Sequence, residues 1–358
     1  MTDTQHIDEA KAEAFVGQLI TDLAGAAATA MTVVGDRLGL YRAMTGAGPV
    51  TAEKLAATTG LHPRLVGEWL NAQAVSGYVT VDGDTFELPI EHALALSVVD
   101  SPAYIVGGAE IVAGHFLNLG RLEHAFRGDG GIAYADMPHS VHHGIERFFR
   151  TAYVNQLAQA WFPAVPGLVE KLTAGARVAD VGCGHGFAAR LIARTWPAAT
   201  VVGFDNHAPS IATARARVIE EPDLTNVTFQ VADAADLGDG TFDVICFFDA
   251  LHDLGDPEAA LRAAFDRLAP GGIVVAVEPW STDNPAEAIG NPIVRLGYAG
   301  STALCTPTSL SQPGAYGMGT CGGPSQRVTL LTAAGFENAG VAADTGHNLV
   351  VAGTKPAR

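Results

Sequence analysis

From residue 177 onward, short apolar runs alternate with amphipathic segments. Residues 177–181, 200–204, 228–231, 244–248 and 273–278 read as strands with no polar face, and the stretches between them as helices. That alternation specifies an α/β fold whose parallel sheet is covered on both sides. Ser325 is placed to cap a helix reaching Ala334 and stopped by Gly335. Strands near 338–343 and 348–352, joined by Asp344-Thr345-Gly346, close the chain.

The first part has a different rhythm. Residues 13–44 read as one helix, because Phe15, Val16, Leu19, Ile20, Leu23 and Ala27 recur at three- and four-residue steps. The resulting apolar stripe can be covered by the chain itself or by a second copy. Residues 50–88 follow the order helix, turn, helix, hairpin. Thr51 is a cap for residues 53–58, Gly60 is a stop, His62-Pro63 opens a helix over 64–75, and Asp82-Gly83-Asp84 turns a small hairpin. This is winged-helix order. Residues 101–169 read as helical, with His139, His142 and His143 as surface or pocket-lining side chains. Residues 281–325 hold eight Gly and five Pro but three charged side chains, which predicts a long irregular insertion of the lid or binding-loop kind. Three parts are expected: a winged-helix domain (1–100), a helical linker and cover (101–169), and the α/β domain with its insertion (170–358).

Charge narrows the partners. The chain carries 21 basic and 38 acidic residues, a formal net charge of −17. Residues 1–100 hold 5 basic and 13 acidic side chains, so the winged-helix segment itself stands at −8. Phosphate-backbone binding rests on Lys and Arg, and so does attraction to anionic lipid. The winged helix is therefore expected to pack rather than to read DNA, and neither nucleic acid nor membrane is expected as a partner. The apolar stretch 103–120 is broken by Glu110 and His115. Four cysteines without disulfide-like spacing, and a start lacking the basic-then-apolar signal pattern, predict a cytoplasmic protein. Cys305 and Cys321 read as buried free thiols, and no metal is expected.

The chemistry gathers where the strands end. The first α/β strand runs into Asp180-Val181-Gly182-Cys183-Gly184-His185-Gly186, and a helix begins at Phe187. Glycines there let the chain turn sharply and let a ligand approach main-chain N–H groups at a helix start. Asp205 and Asn206 end the second strand, where a carboxylate can accept both hydroxyls of a ribose. Asp233 and Ala234 follow the third strand, and Phe248-Asp249-Ala250-Leu251-His252-Asp253 the fourth.

These residues resemble the class I S-adenosylmethionine-dependent methyltransferases. Asp180-x-Gly182-x-Gly184-x-Gly186 is similar to their first motif, Asp205 to the ribose acid, and Val231-Ala232-Asp233-Ala234 to the adenine motif. Phe242-Asp243-Val244-Ile245 and Leu268-Ala269-Pro270-Gly271-Gly272 resemble their later motifs. Upstream, residues 35–41 followed by 51–56 resemble the winged-helix dimerisation domain of small-molecule O-methyltransferases. The whole chain resembles a mycobacterial and actinomycete group of methyltransferases, some described as transcriptional regulators.

The resemblance implies a Rossmann-like sheet of order 3-2-1-4-5-7-6 with the last strand antiparallel. It also implies S-adenosyl-L-methionine as cofactor, S-adenosyl-L-homocysteine as product, and a homodimer formed through the N-terminal domain. Asp180, Gly182, Cys183, Gly184, Gly186, Asp205, Asn206, Asp233, Ala234 and Phe248 become the expected cofactor contacts. A small, largely apolar acceptor would be methylated at oxygen. The family's catalytic histidine falls on His252, although Leu254 replaces the aromatic residue of the family's His-Asp-Trp stretch. Base and pocket-wall roles for His252 both stand at this level. Tyr298, Tyr316 and Met318 are candidate contacts from the insertion. The alternative implied by some relatives is a regulator that binds the cofactor as an effector and uses the winged helix on DNA.

Overall fold

A computed structural model describes residues 7–128, 130–320 and 322–357. The chain divides into two compact units: the segment up to Gly114 with His139–Thr151, and His115–Pro138 with Ala152 onward. Residues 101–169 are shared between them.

In the first unit, helix α1 spans Glu9–Arg37, opened by Asp8 accepting from the Lys11 N–H. The helix expected over 13–44 is two helices. Gly39 takes a left-handed φ of 72° and a short helix, Leu40–Met44, restarts beyond it. Thr51 caps Ala52–Thr59, and His62 with Pro63 opens Pro63–Val75, as their residue types require. The wing is β2 (Thr80–Asp82) and β3 (Thr85–Glu87). A further strand absent from the expectations, β1 (Val50–Thr51), pairs with β3. Leu40, Tyr41, Met44, Leu55, Val66, Trp69 and Leu70 form this unit's core. A Cβ on Gly35 would lie 2.4 Å from the Trp69 ring, so only glycine lets α1 approach so closely. Behind this core, buried Glu110 is held by Arg37, His143 and Arg147, and Arg147 also grips Asp36 through two hydrogen bonds of 2.6 and 3.0 Å. His143 is thus a hydrogen-bond partner of Glu110 within the unit.

Along Pro63–Val75 the one basic side chain, Arg64, is ion-paired with Glu68. The helix that would read DNA presents no uncompensated positive charge.

The second unit is built on β4 (Arg177–Val181), β5 (Thr200–Asp205), β6 (Val227–Val231), β7 (Phe242–Phe248), β8 (Leu268–Pro279), β9 (Glu337–Asp344) and β10 (Asn348–Thr354). Their order across the sheet is β6-β5-β4-β7-β8-β10-β9, which in chain order is 3-2-1-4-5-7-6. β10 runs antiparallel to β8 and β9, and the other pairings are parallel. The apolar runs lack a polar face because alternate residues serve two cores. Val178, Val201, Val244, Cys246 and Val275 face one, and Ala179, Val202, Ile245, Phe247 and Val274 the other.

The insertion departs from expectation. Residues 292–310 are continuous helix, Pro292–Gly300 leading through a π turn at Ser301–Cys305 into Thr306–Leu310. Asn291 caps it by accepting from the Ile293 and Val294 N–H groups, and Pro292 occupies the first helical position. Composition hid the helix, because Pro292 and Pro307 each sit at a helix start, where proline is tolerated.

Candidate active site

The site lies at the C-terminal ends of β4, β5, β7 and β8, where open α/β sheets place ligands. Gly182, Gly184 and Gly186 all have positive φ, 76°, 51° and 72°. A Cβ on Gly182 would come within 2.6 Å of Ala250, and one on Gly186 within 2.4 Å of the Phe229 ring. At Gly184 a Cβ would meet nothing within 4 Å, so there the backbone faces open space. Asp205 braces the turn: Oδ2 accepts from the Gly184 N–H and Oδ1 from the His207 N–H, both at 2.8 Å. Cys183 is half-buried, and burial pushes its thiol up, so it is a small packing residue of the turn.

Asp180 is 1% exposed, and neither carboxylate oxygen has a hydrogen-bond partner among the described residues. Burial, with repulsion from Asp205, raises it to about 7. A carboxylate without donors in an apolar interior is costly, and a cationic ligand group relieves that cost. Asp249, on the neighbouring strand end, repeats the theme. Burial and Glu278 raise it to about 8, one oxygen accepts from the Tyr153 hydroxyl at 3.0 Å, and the other has no partner among the described residues. Asp249 also holds a positive φ of 49°, a strained conformation that concentrates at functional sites.

Of the other expected residues, Asn206 and Asp233 are exposed and Ala234 is half-buried. Asp233 Oδ1 accepts from the Ala235 N–H at 2.9 Å. Phe248 is buried, its ring against Tyr153 and Phe162.

His252 is 2% exposed in the short turn Leu251–Asp253. Its Nδ1 donates to Glu278 Oε2 at 2.6 Å. Glu278, at the end of β8 and wholly buried, also accepts from the Leu251 N–H at 3.1 Å and lies 3.5 Å from the Arg327 guanidinium. Arg327 in turn donates to the carbonyls of Gly323 and Thr320, each at 2.7 Å. Burial alone would push the imidazole down. Glu278 and then Asp253 outweigh it and hold His252 well above the usual histidine value. Burial would likewise raise Glu278, but His252 and Arg327 hold it below the usual glutamate value.

Sequence reasoning placed Asp249 at the site's strand end without a role, and missed Glu278, Arg327 and Tyr153 as parts of this site. One signal was available: Glu278 is the lone charge closing the apolar run 273–278. Tyr316 and Met318 lie outside regular elements, and Tyr298 lies in Pro292–Gly300. Cys321 falls outside the described residues.

The chain is similar to known proteins. A family model described as "Methyltransferase domain" matches residues 172–294, and one described as "Rv2258c-like winged HTH domain" matches residues 26–98. The fold is that of the class I methyltransferases. Trans-aconitate 2-methyltransferase of Variovorax paradoxus is 34% identical over 120 residues, 33% of this chain and 44% of that protein. Ubiquinone biosynthesis O-methyltransferase of Pectobacterium atrosepticum is 30% identical over 126 residues, covering 35% and 46%. The chain spans less than half the length of these curated relatives.

Solved structures resemble it throughout. An O-methyltransferase family protein from Burkholderia thailandensis superposes with a TM-score of 0.70 at 19% identity, covering 95% of this chain and 98% of that one. Human N-acetylserotonin methyltransferase in complex with SAM gives 0.72 at 16%, covering 99% and 100%. The segment matched by the methyltransferase-domain model thus holds Asp180, the glycine turn and His252, and the segment matched by the winged HTH model precedes it.

Proposed function

We propose that the protein is an S-adenosyl-L-methionine-dependent methyltransferase that methylates a small, largely apolar acceptor at oxygen. The observation that carries this reading is the buried Asp180, whose carboxyl has no close side-chain donor among the described residues, beside the open face of Gly184. The methionine end of the cofactor is cationic at its amino group, and such a group fits an acid that lacks a partner. Gly182, Cys183, Gly184 and Gly186 would supply the close backbone, and Asp205 with Asn206 the ribose contacts. Asp233 and Ala234 would meet the adenine, and Phe248, packed on Tyr153 at the end of β7, would be a further cofactor contact. When bound, the cofactor supplies an activated methyl group on a sulfonium, and S-adenosyl-L-homocysteine is the product.

The protein's own contribution is alignment and proton removal. Glu278 fixes the His252 ring and its Nδ1 proton, so that Nε2 is the nitrogen left to accept a proton from an acceptor hydroxyl. The Ser301–Cys305 turn, whose Cys305 contacts His252, lies on that approach. Calorimetric titration with S-adenosylhomocysteine and with NAD tests the cofactor class, and product mass after incubation with a panel of phenols tests transfer. Binding of NAD alone would overturn the reading.

Asp180→Asn is expected to weaken S-adenosylhomocysteine binding at least about tenfold, since a charge-assisted hydrogen bond contributes about 1.5–3 kcal/mol. The ligand-free protein should respond in the opposite sense. An acid held at about 7 keeps its proton in the folded state, so wild-type stability falls as pH rises from the unfolded value near ~3.9 to 7. D180N lacks that loss and should melt higher than wild type at pH 8. Equal melting and undiminished affinity would remove Asp180 from the site.

We also propose a cytoplasmic homodimer assembled through α1. By length and composition alone, this helix is long and apolar enough to cross a membrane. Its stripe is one-sided, however: Phe15, Val16, Leu19, Ile20 and Leu23 are exposed, while Lys11, Gln18 and Asp22 interrupt the remainder of the surface. A second copy's α1 suits such a face. F15E combined with L23E should convert a dimer to a monomer in sedimentation without lowering the melting temperature of the methyltransferase domain. A wild-type monomer at micromolar concentration would overturn the assignment. Free thiols at Cys183, Cys246 and Cys305 support a reducing compartment.

A further inference from the structure

Glu278 holds one nitrogen of His252, and the other looks the opposite way. Nε2 lies 3.3 Å from Asp253 Oδ1. With Cys305 Sγ these atoms make a set of three donors, all within 4.8 Å of one another. Asp253 Oδ1 is buried and has no hydrogen-bond partner among the described residues. The thiol accepts from Thr320 Oγ1 at 2.8 Å. A carboxylate, an imidazole and a thiol therefore converge, facing one another and flanked by Glu278 and Thr320.

We propose that His252 Nε2, Asp253 Oδ1 and Cys305 Sγ form a binding site for a soft divalent cation of the zinc class. Thiolate, imidazole and carboxylate are the ligand types zinc takes, and three protein ligands leave a fourth position open. Tetrahedral bonds of about 2.0 Å to nitrogen or oxygen and about 2.3 Å to sulfur separate ligand atoms by about 3.3–3.8 Å. The Nε2–Oδ1 pair already stands at that spacing, and Cys305 Sγ lies within 4.8 Å of both atoms. Magnesium and calcium, which favour all-oxygen sets, suit the thiol poorly.

Two further features fit a metal. Glu278 receives the Nδ1 proton of His252, the arrangement in which a carboxylate fixes the tautomer and orientation of a metal-bound imidazole. Charge also balances: one thiolate and one carboxylate cancel a dication, so the loaded site is neutral in a buried setting. On binding, Cys305 loses its thiol proton and His252 any proton on Nε2. Both go to solvent, and nothing is oxidised. Burial pushes the Cys305 thiol up to about 11 in the metal-free protein, and coordination reverses that preference. Nε2 cannot hold a cation and take a proton at once. Metal occupancy and the base role of His252 are therefore exclusive, a consequence that rests on the proposed activity, whereas the site itself does not.

The test is optical and reads no methyl transfer, so its failure is distinct from a failure of the proposed activity. The untagged full chain, stripped with a chelator, is titrated with Co²⁺. The expected result is one equivalent bound with the intense visible bands of a tetrahedral ion and a near-ultraviolet thiolate-to-cobalt band, both bleached by Zn²⁺. C305S should lose the thiolate band, C183S should keep it, and D253N should weaken Co²⁺ at least tenfold. Faint octahedral bands in the wild type, or a thiolate band that survives C305S, would overturn the site. The wild-type spectrum decides even where a variant folds poorly.

Discussion

Replacing His252 with asparagine is expected to lower turnover by about 10²–10⁴-fold, the range over which a positioned base contributes. S-adenosylhomocysteine affinity should be unchanged, because the glycine turn, Asp180 and Asp205 are untouched. Asparagine keeps a polar group opposite Glu278 but offers no nitrogen able to take a proton. The pH dependence of the wild type carries the same information. Glu278 and Asp253 outweigh burial and hold the imidazole well above its ordinary value of ~6.5. The base form is therefore gained only at higher pH, and kcat should climb through a limb displaced above 6.5. Stability runs the other way: the contribution of this raised group is full below 6.5 and is lost as pH rises through the folded value. Turnover that survives in H252N, or a rate flat from pH 6 to 9, would assign His252 to the pocket wall.

Glu278→Ala should be the most destabilising single change in the site, by about 3–5 kcal/mol in chemical denaturation. Glu278 and Arg327 are both wholly buried, and the carboxylate also serves His252 and the Leu251 N–H. His252 can shed its proton when its partner is lost. Arg327 cannot, so its positive charge would remain in the interior with only two carbonyls as acceptors. Glu278→Gln, which keeps the shape and one acceptor, should lose less. A loss under about 1 kcal/mol for the alanine variant would mean that water reaches the guanidinium and that the triad contributes little.

The strands, their order and the glycine turn were legible because each is written in local residues. Two-sided apolar runs give buried parallel strands, and Gly182, Gly184 and Gly186 take the positive φ that only glycine adopts cheaply. Caps were equally readable at Thr51 and at His62-Pro63. What was not legible depends on partners far apart in the chain. Glu278 resembles a solvated strand end until the fold sets it against His252, 26 residues earlier, and Arg327 resembles any surface arginine on a helix. Cys305 was expected to be buried and is, but only folding brings it to His252 and Asp253. Tyr153 and Asp249, 96 residues apart, illustrate the same limit. The insertion failed for another reason: counting glycine and proline ignores their positions, and Pro292 is a helix-starting residue where it stands.

The insertion is fastened to the turn that carries His252 chiefly through main-chain atoms. The Ser309 hydroxyl donates to the Leu254 carbonyl, the Gln312 amide to the Asp253 carbonyl, and the Tyr316 N–H to the Gly255 carbonyl. Carbonyls are present whatever side chains occupy 253 and 254, whereas a Cβ on Gly255 would lie 2.4 Å from the Pro313 carbonyl oxygen. Outside Cys305, the outer helix can therefore vary, and with it the acceptor preference proposed above, while the Ser309, Gln312 and Tyr316 contacts keep the His252 turn in register. Such a scaffold lends itself to diversification among small molecules, since new specificity need not be invented together with new chemistry.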